Sequence, residues 1–206
     1  MSPLEVEVKF YLRDPDHVRD TIEKTGGAFK KKEHEENIRF EDNDSSLVKN
    51  GSLLRLRRTE DCNTLTYKGK VVNPHPGYKV FDEIETLVSD FNETTRILKN
   101  LGYAPVQRYE KIRETYLIGQ THLCLDTMPY GVFLEIEGGA EVIPTIAESL
   151  GFDWGDRIIE NYLAIFERLK EAFQLDFNDL TFDNFRDADV DFVEFMETFT
   201  VAHQRE

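Results

Sequence analysis

Apolar and charged residues alternate along several short stretches of this 206-residue chain, and alternation is the period of a strand whose two faces meet different surroundings. In Glu5-Val6-Glu7-Val8-Lys9-Phe10 one face is wholly charged and the other wholly apolar. "SLLRLRR" sets Leu54 and Leu56 against Arg55 and Arg57, "TLTYKGK" is a further short strand, and "YKVFDEIETLV", "THLCLDTM" and "GVFLEIEG" continue the pattern. "DPDHVRDTIEKTGG" predicts a short helix, with Asp14 as N-cap, Pro15 at the first helical position and Gly26-Gly27 as the stop. "AFKKKEHEENIRFED" is extended again, while "NDSSLVKNG" and "NPHPG" are turns. From about residue 141 the pattern is helical, through "VIPTIAESLG" and "DRIIENYLAIFERLKEAF".

The chain also repeats itself. "EVEVKFYLRDPDHVRDTIEKTGG" followed by "ENIRF" runs parallel to "DEIETLVSDFNETTRILKNLGY" followed by "EKIRETY". Each copy is an acid-x-acid strand, a helix ending at glycine, and a strand carrying Glu-x-Ile-Arg. The pairs are Glu5/Glu7 with Glu83/Glu85, and Arg39 with Arg113, which implies two β-α-β-β-β halves. Residues 1–173 are expected to form the main domain. Residues 174–206 form an acidic, Phe-rich extension with Phe192, Phe195 and Phe199 at helical spacing, packed on the domain or, in a homodimer, on a second subunit. "DFNDLTFDNF" lacks the glycine of an EF-hand loop.

Composition narrows the classes. Hydrophobic content of 40% and charged content of 32% suit a soluble globular protein, and no apolar run reaches membrane length. "MSPLEVEVKF" has neither the basic region nor the apolar run of a signal peptide, so a mature chain beginning near Met1 and a cytoplasmic location are expected. Cys62 and Cys124 lie in no CxxC or Cys/His cluster, which argues against a disulfide scaffold or structural zinc. A net charge of −15 opposes binding to nucleic acid and to anionic membrane. An anionic ligand therefore needs a local basic pocket.

The charged faces supply one. Glu5, Glu7, Glu83, Glu85, Asp126, Glu135 and Glu137 are the acids; Lys9, Arg55, Arg57, Lys68, Lys111 and Arg113 are the bases. In an open sheet such faces are simply wet. Closed into a barrel of about eight strands and covered outside by helices, they line an interior just wide enough for side chains or one small ligand. Unpaired buried charge is costly, so such a lumen must hold something. Carboxylates bind metal and guanidinium or ammonium groups bind phosphate oxygens, which suits a metal-bound polyanion such as a triphosphate.

Glu5-x-Glu7-x-Lys9 resembles the ExExK signature of the CYTH family, the triphosphate tunnel metalloenzymes. "LRLR", "TYKG", "EIE", "EKIR", "LD", "FLEIEG" and the "ENYLAIFERL" helix are similar to that family in the same order, over about residues 4–170. The resemblance implies an α+β fold, an eight-stranded antiparallel β-barrel or tunnel of two halves covered by helices, here with a C-terminal helical appendage. It also implies Mg2+ or Mn2+ and cleavage of a triphosphate-containing small molecule, whether inorganic triphosphate, ATP or another organic triphosphate. "GSLLRLRR", "LTYKG" and "EKIRETY" are most similar to the prokaryotic branch grouped with class IV adenylyl cyclases. By this resemblance Lys9, Arg39, Arg55, Arg57, Lys68, Lys111 and Arg113 clamp phosphates, and Glu5, Glu7, Glu135 and Glu137 hold metal. Glu83, Glu85 and Asp126, with Lys68, serve catalysis. Two stretches depart from the family pattern: Asn37 and Arg39 stand in "NIRF" where "DIYF" is common, and Phe81 stands where an arginine is usual, with Lys79 able to supply that charge.

The expected reaction is metal-dependent hydrolysis of a phosphoanhydride. Phosphoryl transfer relies on positioning and charge neutralisation, so no nucleophilic Ser or Cys is required. A class IV adenylyl cyclase, releasing cyclic AMP and pyrophosphate from ATP, would use the same clamp. A non-catalytic polyphosphate-binding module is disfavoured by the acids, which repel a bare anion. His17, His75, His122 and His203 fall in a helix, a turn, a hairpin and the tail; His34, on the second strand, is the pH-sensitive neighbour to watch.

Overall fold

The structure, a computed structural model, describes residues 4–205 apart from 73, 75, 76, 187 and 189. His75 of the expected turn thus lies outside the described residues. Eight antiparallel strands close into one barrel in the order β1-β5-β4-β3-β2-β6-β7-β8. They are β1 (Leu4–Leu12), β2 (Ala28–Glu41), β3 (Leu53–Arg58), β4 (Asn63–Lys70), β5 (Lys79–Val88), β6 (Ala104–Ile118), β7 (Thr121–Met128) and β8 (Gly131–Glu137).

Alternation places every strand. Val8, Phe10, Leu123, Leu125, Leu134 and Ile136 face outward and pack beneath α1 (Pro15–Lys24) and α4 (Ile143–Ser149), through Val18, Ile22, Ile143 and Ile146. Ile38, Phe40 and Leu56 face outward against Leu98 of α3 (Phe91–Asn100). With their apolar partners outside, Glu5, Glu7 and Lys9 turn into the lumen.

The two halves share their helix ends. Asp14 and Asp90 cap α1 and α3, accepting from the N–H of His17 and of Glu93. Gly26 and Gly102 follow the two helices at φ +92° and +93°, the left-handed conformation that glycine adopts without penalty. Gly27 and Tyr103 N–H then bond back to the carbonyls of Ile22 and Leu98.

The turn at 42–52 contains a four-residue helix, α2 (Ser46–Lys49). Helical structure in "DRIIENYLAIFERLKEAF" begins only at α5 (Tyr162–Phe173), because Ile158 instead exchanges both backbone hydrogen bonds with Lys9 of β1. The tail is not one long helix: α6 (Phe182–Phe185), α7 (Val193–Met196) and short 3-10 turns carry its phenylalanines. Phe185, Phe192, Met196 and Phe199 join Ile165, Phe166 and Leu169 of α5 and Tyr109 and Phe133 of the barrel in one apolar cluster. No helix among the described residues is long and apolar enough to cross a membrane.

Candidate active site

All eight strands deliver charge to the lumen, in sectors. The contiguous strands β7, β8, β1 and β5 carry Asp126, Glu135, Glu137, Glu5, Glu7, Glu83 and Glu85. The opposite wall, β4, β3, β2 and β6, carries Lys68, Arg55, Arg57, Arg39, Lys111 and Arg113. Between them lies a cavity of about 1050 Å3. All the expected site residues therefore come together, and all but Lys9 and Asp126 line the cavity.

Those two lie behind the lining. Lys9 has no exposed surface: its ammonium donates to the Glu160 carbonyl at 2.7 Å and lies 3.6 Å from Glu135 and 3.8 Å from Glu7. Burial, then Lys79, lowers its pKa. Its charge lies beside those two acids, behind the cavity lining. Asp126, expected to complete a metal shell or position water, is equally enclosed. Lys111 (2.9 Å), Arg113 (2.6 Å) and the Tyr162 hydroxyl (2.9 Å) donate to it, so it aims the two bases into the cavity.

His34 lies on β2, as expected, but outside the lumen. It alternates with Glu35 and so faces outward, its imidazole 3.9 Å from Glu110 and its ring beside Phe182 of the tail.

Five of the lumen acids meet a base. Lys68 pairs with Glu5 and, at 3.2 Å, with Glu83; Lys79 pairs with Glu7; Arg55 lies 3.9 Å from both Glu83 and Glu85; Arg113 pairs with Glu135. Lys79 thus does enter the lumen two residues before Phe81, whose ring lies under both Lys68 and Lys79. Burial raises Glu135, but Arg113, Lys9 and Lys111 prevail and hold it well below the usual carboxylate range. Glu7 is also lowered: Lys79 and Lys9 outweigh burial and Glu135. Glu5 goes the other way, pushed up to about 7 by burial and by Glu7. Glu137, directly opposite Glu7 in the β1·β8 register, is raised by burial and by Glu7.

Glu35 carries no expectation from the sequence and proves central. It has no exposed surface and sits 3.0 Å from Arg57, 3.6 Å from Lys111 and 3.9 Å from Arg113. In "KKKEHEEN" charge falls on both faces, which hides the period. The signal is one of parity: Ile38 and Phe40 point out, so Glu35, Asn37 and Arg39 must point in. α5 adds Tyr162, over which Lys9 and Lys111 lie. Cys124 is buried on β7, its thiol pushed up to about 11 by burial.

A divalent cation is tested by the donor set. No three His, Cys, Asp or Glu side chains among the described residues gather as a closed coordination group. The mutually repelling Glu5, Glu7 and Glu137 make an open set of hard oxygen donors. That fits Mg2+ or a similar ion, which takes one or two carboxylates together with substrate phosphates.

The barrel is closed and antiparallel, with one acidic and one basic wall around its cavity. The chain belongs to the CYTH domain family, whose model matches residues 3–149. It is 30% identical over 167 residues to a candidate adenylate cyclase of Methanocaldococcus jannaschii, covering 81% of this chain and 89% of that protein. Its fold is similar to that of a candidate adenylate cyclase from Vibrio parahaemolyticus (TM-score 0.69, 19% identity, 81% of this chain and 99% of that one). It is also similar to the fold of HpAC1 from Hippeastrum, described as a candidate adenylyl cyclase with a dominant triphosphatase activity (TM-score 0.57, 16% identity, 80% and 95%).

Proposed function

We propose that this chain is a divalent-metal-dependent phosphohydrolase that cleaves a phosphoanhydride bond in a triphosphate-containing substrate. The observation that carries this reading is the two-walled cavity, bases facing acids across about 1050 Å3. Arg55, Arg57, Lys68, Lys111 and Arg113 hold the phosphates. The two guanidiniums, two residues apart on β3, each offer a planar fork to phosphate oxygens. Glu5, Glu7, Glu135 and Glu137 would hold Mg2+ or Mn2+, which when bound neutralises phosphate charge. Lys68 now engages Glu5 and Glu83; turning to phosphate, it releases both carboxylates. Glu83 and Glu85 can then accept a hydrogen bond from a water and orient it toward the terminal phosphorus. Water needs no dedicated base pocket, which favours hydrolysis. A reducing, cytoplasmic setting accords with the free Cys62 and Cys124.

A cyclase is the second reading, favoured by the name of the Methanocaldococcus jannaschii relative. A panel of inorganic triphosphate, ATP and other organic triphosphates with Mg2+ and Mn2+ decides, if phosphate, pyrophosphate and cyclic AMP are scored separately. Phosphate release abolished by EDTA is expected. Cyclic AMP with pyrophosphate would establish the cyclase, and tight binding without products would establish a binding module.

A further inference from the structure

A neutral residue stands in a charged row of the lumen. Arg55 of β3, Thr66 of β4 and Glu85 of β5 lie directly opposite one another in register. Thr66 has no exposed surface, and its hydroxyl bridges the other two: Oγ1 accepts from Arg55 Nη2 at 3.2 Å and donates to Glu85 Oε2 at 2.9 Å. Its one proton is committed to the carboxylate, so a lone pair faces the guanidinium. Tyr109, also buried, accepts from Arg55 Nη1 at 3.5 Å. Among the described residues the hydrogen bonds of Arg55 thus end on uncharged hydroxyls, while Glu83 and Glu85 stand 3.9 Å away. The other bases sit closer to their acids. Lys68, two residues on from Thr66, is opposite Glu83 in the register and meets it at 3.2 Å. Arg57 reaches Glu35 at 3.0 Å, and Arg113 donates to Asp126 at 2.6 Å.

A guanidinium and a carboxylate that are able to meet close to about 2.7–2.9 Å. Here a hydroxyl stands between them. The spacing matters to the chemistry, because a clamp arginine spent on a carboxylate has less to offer a phosphate, and a carboxylate turned to an arginine no longer faces a water. Resting on the hydrolase reading above, we infer that Thr66 is a positioning residue: its hydroxyl holds Arg55 and Glu85 apart, the guanidinium aimed at phosphate oxygens and the carboxylate at the attacking water. Thr66 itself does not line the cavity and acts only through these two neighbours, both of which do.

The test measures kcat and KM for phosphate release, with Mg2+, from whichever member of the triphosphate panel wild type cleaves fastest. Thr66→Val keeps the shape and removes the hydroxyl, so Arg55 and Glu85 close on each other and kcat/KM should fall at least about tenfold, the worth of a hydrogen bond to a charged group. Most of that loss should be in kcat, because Arg57, Lys68, Lys111 and Arg113 still bind the phosphates. Thr66→Ser returns the hydroxyl and should restore most of the rate. In a Glu85→Gln background, where that ion pair cannot form, Thr66→Val should cost less than about twofold further. Thr66→Ala carries the test if Thr66→Val fails a melting control. A Thr66→Ser enzyme as slow as Thr66→Val would assign the residue to packing and overturn the inference. So would a rise in KM alone, losses that multiply in the double variant, or a Thr66→Val enzyme at the wild-type rate. Each of these, with phosphate released by wild type, leaves the hydrolase standing. A wild type that releases no phosphate from any member of the panel sinks the hydrolase reading and this inference with it.

Discussion

Glu35, enclosed among Arg57, Lys111 and Arg113, is the carboxylate that Arg57 pairs with and a second counter-charge for the other two. Burial raises its pKa, but Lys111, Arg57, Arg113 and Arg55 prevail and hold it below the ordinary range. Glu35→Gln strips the wall of that charge and should cost about 3 kcal/mol at neutral pH. The sign of the pH dependence follows. A carboxyl lowered in the folded state contributes stability that is complete above its unfolded value of about 4.5 and lost as pH falls through the folded one. Urea melts of wild type and Glu35→Gln should therefore differ most at pH 6–7 and converge toward pH 2; parallel curves would place Glu35 outside the acid transition. At this scale the sequence was legible where alternation was clean, as at Glu5, Arg55 and Glu135. It was illegible where a role depends on enclosure. Nothing in "LD" tells that Asp126 is surrounded by donors, nor in ExExK that Lys9 lies behind the cavity lining, since β6 and Tyr162 of α5 decide the first and the segment just before α5 the second.

Among the elements, α5 has the largest effect on the site for its length. Tyr162 reaches Asp126, Glu167 holds Gln107, and the residues just before the helix bind Lys9. Its first turn is fixed by Asn161, whose Oδ1 accepts from Ala164 N–H at 2.8 Å. Asn161→Ala should cost about 1 kcal/mol while Asn161→Asp retains most of that stability, read from denaturant midpoints. The tail stiffens the same region: Gln204 donates to Glu160, and the N–H groups of Val201 and Ala202 donate to Arg157 and Gly155 carbonyls. The strands and α1 could be predicted because their signals are local: period two, Asp14, Pro15 and Gly26. The helical extent of "DRIIEN" could not, because Ile158 answers to β1, some 150 positions away in the chain.

Taken as a whole molecule, the protein sets an interior rich in bases within a chain of net charge −15. Beyond a Debye length of about 8 Å at physiological salt an incoming anion responds mainly to the net charge. Its association rate should therefore rise as KCl increases from about 10 to 150 mM, the opposite of ordinary attractive steering. Stopped-flow binding of Mg2+-triphosphate checks the sign, and a falling rate would mean that the basic wall projects its field past the mouth.

The closed ring has a consequence for how such a site can arise at all. The strand order maps onto itself when β1 exchanges with β5, β2 with β6, β3 with β7 and β4 with β8. At the two seams equivalent positions meet, Leu4 opposite Asp82 and Glu36 opposite Glu110. Two identical half-length chains could close this ring as an isologous dimer. In such a dimer every charge would appear twice, once on each side of the axis. β1 and β5 both carry acids and β2 and β6 both carry bases, which a symmetric pair permits. β3 and β4 carry Arg55, Arg57 and Lys68 where β7 and β8 carry Asp126, Glu135 and Glu137, and identical copies cannot do that. Covalent fusion of the halves is what lets one side of the ring specialise in phosphate while the other specialises in cations.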